Sequence, residues 1–210
     1  MDIENHEPSA DIPAYVFEHR RSLIALFAVA ALVLAGLDRA SILHREGYEE
    51  LISASGWILV MAGIGIRFWG SLYIAGNRDR HLQSSGPYAL VRNPLYLGNL
   101  FSGFGIGLLS ESAVATLCLM LGLTFVFYET IKYEDRKLLR LFGSEFIDYR
   151  QRVPALWPRI GDIRRFALST DSRQPVRYTN FGSELKSARG VLVAALLVYL
   201  YSTLLAQLAG

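Results

Sequence analysis

The chain has a single cysteine in 210 residues, Cys118, which excludes an intrachain disulfide and leaves the redox compartment open. Cys118 lies inside an apolar run and reads as a packing residue. Charge is also scarce: Asp, Glu, Lys and Arg make up 19% of the residues against 52% hydrophobic, and that charge is gathered into a few segments. A soluble domain interleaves polar and apolar residues so that every element has a wet face, and long stretches here lack that interleaving. The four histidines, His6, His19, His44 and His81, show no ligand spacing and no pair on one helical face, so no metal site is expected. There is no internal repeat, no low-complexity tract and no nucleic-acid-binding module, so nucleic acid is not an expected partner. The small excess of positive charge fits anionic lipid headgroups on a cytoplasmic leaflet. No pattern assigns an oligomeric state.

What the chain does have is long apolar runs. Residues 51–75 contain one charge, Arg67, and residues 191–208 contain none. Both approach the ~20 residues needed to cross a ~30 Å hydrocarbon layer. Residues 22–37 and 95–110 are shorter, and 113–131 is interrupted by Glu129. Together they predict an all-α polytopic membrane protein of about five transmembrane helices, the third and fourth joined as a tight helical hairpin. The first run is not a cleaved signal peptide, because acidic and polar residues precede it and Asp38 and Arg39 stand where a small-residue cleavage site belongs. Lys and Arg near the span ends set the orientation. Arg20, Arg21, Arg78, Arg80, Arg92 and every basic residue from Lys132 to Arg189 fall on one side, and only Arg39 and Arg45 on the other. The N-terminus is therefore expected in the cytoplasm and the C-terminus outside.

Three constellations carry possible chemistry. The stretch GPYALVRNPLYLG, residues 86–98, gathers Tyr88, Arg92, Asn93, Pro94, Tyr96 and Gly98 where a cytoplasmic connection meets the third span. Its prolines remove backbone donors and restrict their predecessors, so exposed backbone groups lie beside hydroxyls and a guanidinium. Either a site for an anionic or zwitterionic ligand or an interfacial anchor fits this composition. The glycines of FSGFGIG, including Gly103 and Gly105, permit close approach of another helix or of a flat ligand, and helix packing is the favoured reading. Glu129, Glu134 and Asp135 straddle the exit of the fourth span. Asp135 precedes Leu139 by four positions and Phe142 by seven, on an apolar stripe where a carboxylate needs a cation, available in Arg92, Arg136 or Lys137. A salt-bridged helix exit and a pocket for a cationic ligand are both open. Arg67, inside the second span, either snorkels or pairs with Glu129 or a substrate anion. In residues 133–149, Leu139, Phe142, Phe146 and Tyr149 recur at helical spacing, and the helix is expected to be interrupted or to end near Gly143.

GPYALVRNPLYLG followed by YEDRKLLRLFGSEFIDYRQRVPALWP, residues 133–158, resembles the isoprenylcysteine carboxyl methyltransferase family and its phospholipid methyltransferase relatives. Gly86, Pro87, Tyr88, Arg92, Pro94, Tyr96 and Gly98 match the family's first motif, with Asn93 where histidine is usual. Gly103 and Gly105 match its glycine pair, Glu134 and Asp135 its Glu-Glu pair, and Phe142, Gly143 and Tyr149 its later signposts. Asn93 excludes a histidine-dependent proton step at that position while keeping a donor and an acceptor.

The resemblance implies an S-adenosylmethionine-dependent membrane methyltransferase acting at the cytoplasmic face on a lipid or lipid-linked acceptor. The cofactor is implied to be held by Tyr88, Arg92, Asn93, Pro94, Tyr96, Gly98, Gly103, Gly105, Glu134 and Asp135, with Arg92 and Glu134 as catalytic residues. Arg67, Glu129 and Tyr149 are candidates for binding the acceptor. The expected organisation is a polar N-terminal segment (1–21), two transmembrane helices (22–75) and a methyltransferase core (76–158). A basic interfacial linker (159–189) and a C-terminal transmembrane helix (190–210) complete it. The expected location is a bacterial inner membrane. Methylation of a small hydrophobic thiol or amine is the alternative enzyme, and a scaffold or transporter keeping a degenerate form of the fold is the alternative outside catalysis.

Overall fold

A computed structural model describes residues 11–38, 48–74, 81–159, 161–162 and 181–209. Residues 1–10 of the polar N-terminal segment, Arg39, Arg45, Arg78, Arg80 and residues 160 and 163–180 of the basic linker lie outside the described residues. The described chain is all α: α1 (Ile12–Leu37), α2 (Glu49–Ile74), α3 (Pro94–Leu109), α4 (Ala113–Arg152) and α5 (Phe181–Ala209), with a 3-10 turn at Gly86–Ala89. Four of these, α1, α2, α4 and α5, are long and apolar enough to cross a membrane. The fifth apolar helix, α3, has 16 residues and so a length of about 24 Å.

α1 starts well before the apolar run at residue 22, because its first turns pack on α4. Val16 is buried, Phe17 stacks on Tyr133 with centroids 4.3 Å apart, and Asp11 accepts from Arg136 at 2.9 and 3.0 Å. Burial there replaces the lipid contact that the sequence pattern alone would require. At the far end of the bundle Ser112 caps α4, accepting from the Ala115 amide at 3.1 Å while donating to Asp38 at 2.6 Å.

α2 and α3 run antiparallel on a seam of small residues. A Cβ on Gly98 would stand 2.6 Å from the Gly63 carbonyl oxygen, and one on Gly105 would stand 2.5 Å from that of Gly56. Backbones this close exclude any side chain between them, the usual contact of helices in lipid, where apolar burial gives little driving force. Gly103 and Gly107 make the corresponding contacts with Leu123 and Thr116 of α4. One core joins Ala31 and Ala35 of α1 to Leu119, Leu123, Val126 and Phe127 of α4, and another joins Val60 and Leu109 to Ala195 and Val198 of α5. Many outward apolar side chains, among them Leu26, Leu117, Leu121, Leu197 and Leu200, are exposed, as a lipid-facing surface requires.

α4 is 40 residues long, about 60 Å if straight and roughly twice the hydrocarbon thickness. It breaks direction at Gly143, whose φ of 52° and ψ of −123° suit glycine alone. The kink follows the apolar stripe: Phe146 and Tyr149 beyond it are buried.

Candidate functional site

The bundle end at which α1 begins carries a polar cavity of about 380 Å³. It is assembled from five places in the chain: the start of α1, Ile74 at the end of α2, residues 81–83, residues 88–96 and the outer half of α4. Three local devices hold them together. Gly86 adopts a positive φ of 59° against the Tyr73 ring, which turns the chain into the 3-10 segment. After α4 the chain doubles back, and the Arg92 and Asn93 amides donate to the carbonyls of Pro154 and Ala155 at 2.9 and 3.1 Å. The Tyr149 hydroxyl donates to the Tyr88 carbonyl at 2.7 Å. Tyr149 lies beyond the length of α4 needed to span, and its burial raises the phenol pKa, so it stays a neutral donor.

Two charge-assisted contacts define the interior. Arg92 Nη1 donates to both oxygens of Asp135, at 2.9 and 2.8 Å, with the side chains only 9% and 13% exposed. The Arg92 guanidinium also lies 5.8 Å from the ring centre of Phe146, itself 1% exposed. Tyr96 donates to Glu134 at 2.9 Å. Arg92 Nε is buried and has no hydrogen-bond partner among the described residues. A cavity of this size falls in the range of about 300–1,000 Å³ usual for small-molecule sites.

Of the residues singled out from sequence, Tyr88, Arg92, Asn93, Pro94, Tyr96, Glu134, Asp135 and Tyr149 all line this cavity. Asn93 spends its amide on the Ala155 carbonyl, at 3.2 Å, and so also splices the returning chain to the start of α3. Gly98, Gly103 and Gly105 are not among the lining residues; their missing side chains serve the packing of α3 on α2 and α4. Arg67 and Glu129 are not brought together. Arg67 donates to Asn99 at 2.6 Å and pairs with Glu184 of α5 at 3.1 Å, because α5 lays its first turns across the α2–α3 seam. Glu129 pairs with Lys132 at 3.0 Å, one helical turn away, and neither residue lines the cavity.

Sequence reasoning missed Phe17 and Arg20 of α1, along with His81, Gln83 and Lys137, all of which line the cavity. The aromatic residues ahead of the first apolar run were the available sign that α1 begins early and packs.

Next to the polar cavity lies a groove of about 680 Å³ between α1, α3, α4 and α5. Its lining is almost wholly apolar, with Asn99 and Ser102 among the few polar side chains. Tyr96 of the cavity and Phe127 of the groove stack with centroids 5.2 Å apart, so this aromatic pair stands between the two spaces. Among the described residues no three His, Cys, Asp or Glu side chains are grouped so as to hold a metal ion.

Residues 50–145 match the phospholipid methyltransferase family. The chain is 41% identical over 104 residues to the cobalt-zinc-cadmium resistance protein CzcN of Cupriavidus metallidurans, covering 50% of this chain and 47% of that protein. It is 38% identical over 125 residues to the nickel-cobalt-cadmium resistance protein NccN of Alcaligenes xylosoxydans xylosoxydans, covering 58% of each. It is 36% identical over 84 residues to the protein-S-isoprenylcysteine O-methyltransferase of Schizosaccharomyces pombe, covering 40% of this chain and 36% of that enzyme. The chain thus spans about half the length, or less, of the curated relatives it matches. No solved structure matches. The likeness is to the superfamily of polytopic membrane methyltransferases and not to one member.

Proposed function

We propose that the chain is an S-adenosylmethionine-dependent methyltransferase that works at the cytoplasmic face of a bacterial inner membrane on a lipid or lipid-linked acceptor. In this reading α3 also crosses, giving five spans, and the cavity faces the cytoplasm, the side that holds most of the Lys and Arg residues. The observation that carries it is the convergence of the Arg92–Asp135 pair and the Tyr96–Glu134 pair on one cavity inside the matched stretch.

The donor set suits the cofactor. Glu134 and Asp135 offer carboxylate oxygens for an amine or ribose hydroxyls, and the Arg92 guanidinium offers positive charge for a carboxylate. Tyr88, Asn93 and Pro94 would complete the walls of that site. When bound, S-adenosylmethionine supplies a methyl group made electrophilic by its sulfonium. The protein's own part is then alignment and exclusion of water. Tyr96 fixes the Glu134 carboxylate, Asp135 neutralises Arg92, and the buried Phe146 ring packs 5.8 Å from the Arg92 guanidinium. The acceptor's tail would stay in the adjoining groove while its head enters past Tyr96 and Phe127, avoiding a cost of ~0.8 kcal/mol for each CH₂ withdrawn from an apolar phase.

Purified protein incubated with methyl-labelled S-adenosylmethionine and native lipid extract should place label in the organic phase. Label found only in water-soluble products would favour a small thiol or amine acceptor. No binding of S-adenosylhomocysteine at all would favour a non-catalytic membrane protein.

A further inference from the structure

We infer that α1 is the acceptor-recognising arm of the site, and that Arg20 holds an anionic headgroup, a carboxylate or a phosphate, at the mouth of the cavity. The inference rests on the methyl-transfer reading above and names the acceptor class for it. Phe17 and Arg20 line the polar cavity, whereas Ile24, Ala28, Ala31 and Leu32 of the same helix line the apolar groove. Arg20, Ile24, Ala28 and Ala31 follow at steps of three and four and so occupy one face of α1. From Arg20 to Ala31 that face extends about 16 Å. It presents one cationic end and an apolar track, the counterpart of a molecule with a negatively charged head and a hydrocarbon tail.

The charge arrangement points the same way. Arg92 is committed to Asp135, but Arg20 has no carboxylate partner among the described residues. Its guanidinium donates to the Phe17 carbonyl and lies 4.3 Å over the Phe17 ring. These contacts hold the group in place and leave most of its five N–H donors for a ligand. Phe17 is itself fixed by its stack on Tyr133, and the start of α1 by the Asp11–Arg136 pair. The arm is therefore positioned before any ligand arrives.

The division of labour along the chain separates acceptor from cofactor. Tyr88, Arg92, Asn93, Tyr96, Glu134 and Asp135 fall within residues 50–145, the stretch shared with the phospholipid methyltransferase family, whereas Phe17 and Arg20 fall outside it. Chemistry common to a family resides in what its members share, and selection among acceptors resides in what each adds.

Calorimetric titration of the full-length protein in neutral-detergent micelles, saturated with S-adenosylhomocysteine, tests this with three probes of equal chain length: dodecanoate, dodecyl phosphate and dodecylamine. Wild type should bind one or both anions about tenfold or more tightly than the amine. Arg20→Gln should abolish that preference and Arg20→Lys should retain part of it. Arg21→Gln, which removes the same charge from an exposed neighbour, should behave as wild type. Whichever anion binds better identifies the headgroup chemistry. S-Adenosylhomocysteine affinity should stay within about twofold in Arg20→Gln, which also shows that the variant is folded. An anion preference that survives Arg20→Gln, or is lost equally in Arg21→Gln, overturns the inference. So does a parallel loss of S-adenosylhomocysteine affinity, which would give Arg20 to the cofactor. Failure of wild type to bind S-adenosylhomocysteine sinks the methyl-transfer reading instead, and the anion preference is then read without it.

Discussion

One guanidinium nitrogen of Arg92 lies 2.8 and 2.9 Å from the two carboxylate oxygens of Asp135, joining the loop before α3 to the outer half of α4. Both side chains are nearly withdrawn from water; Arg92 depends on Asp135 for charge compensation, whereas Asp135 also has the exposed Arg150 Nε at 3.9 Å. Asp135→Leu should destabilise the protein by about 3–5 kcal/mol, because an uncompensated charge stays buried, and Arg92→Leu by somewhat less, because Arg150 remains. The double leucine variant should cost less than the two single changes summed. Unfolding in mixed micelles measures all three, and strict additivity would show that the pair is not coupled.

Glu134 accepts from Tyr96 and faces the same cavity. Glu134→Gln keeps the shape and removes the charge, and should weaken S-adenosylhomocysteine binding by about tenfold or more, the scale of a charge-assisted contact. Tyr96→Phe, which removes only the orienting hydroxyl, should weaken it less. Equal calorimetric affinities for wild type and Glu134→Gln would take Glu134 out of the cofactor site.

The glycine seam separates packing from binding by a simple comparison. Gly105→Ala would drive a methyl to 2.5 Å from the Gly56 carbonyl oxygen and 2.8 Å from the Val60 amide nitrogen, so α2 and α3 must move apart. A loss of about 1–3 kcal/mol is expected. Gly65→Ala, with nothing within 4 Å of the added atom, should be neutral or slightly stabilising. Comparable unfolding midpoints for the two variants would contradict the seam.

Gly143 poses the opposite case, since a Cβ there meets nothing within 4 Å and only the backbone conformation objects. Gly143→Ala should cost about 1–3 kcal/mol. By straightening α4 it should also withdraw Phe146 and Tyr149 from the 88–92 segment. A matching fall in S-adenosylhomocysteine affinity should accompany the loss. Unchanged affinity together with unchanged stability would mean that the kink is not required.

Topology is open to direct labelling once Cys118 is replaced by serine. Cysteines at Ser144 and Ser183, both exposed at the cavity end of the bundle, should react from the cytoplasmic side. One at the exposed Tyr48, ahead of α2, should react from the other. Reaction of Ser144→Cys and Tyr48→Cys from the same side would reverse the orientation of part of the chain.

The membrane-crossing helices were legible because lipid imposes a requirement on composition that any window of sequence displays, as residues 51–75 and 191–208 do. Asp135 was legible for a related reason: a carboxylate on an apolar stripe calls for a cation, and Arg92 was among those available. The early start of α1 was signalled only by Tyr15 and Phe17 ahead of the apolar run, since Val16 and Phe17 are stabilised by Tyr133 and the rest of α4, over a hundred positions away. The partner of Arg67 was hidden similarly. Snorkelling, Glu129 and a substrate anion were all open to it, but the acid that reaches it arrives on α5. Gly98, Gly103 and Gly105 had two physical uses, and only the positions of the Gly63 carbonyl, the Leu123 side chain and the Gly56 carbonyl distinguish them.

The Arg67–Glu184 pair also has a history in time. The two residues are 117 positions apart, and a ribosome adding about 5–20 residues per second needs on the order of ten seconds to make the second after the first. During that interval α2 holds a guanidinium with Asn99 as its nearest described partner. Arrival of Glu184 ends the interval. A chain released before α5 is made therefore carries, in its second span, a guanidinium still without its carboxylate, a costly state for a charge at that depth.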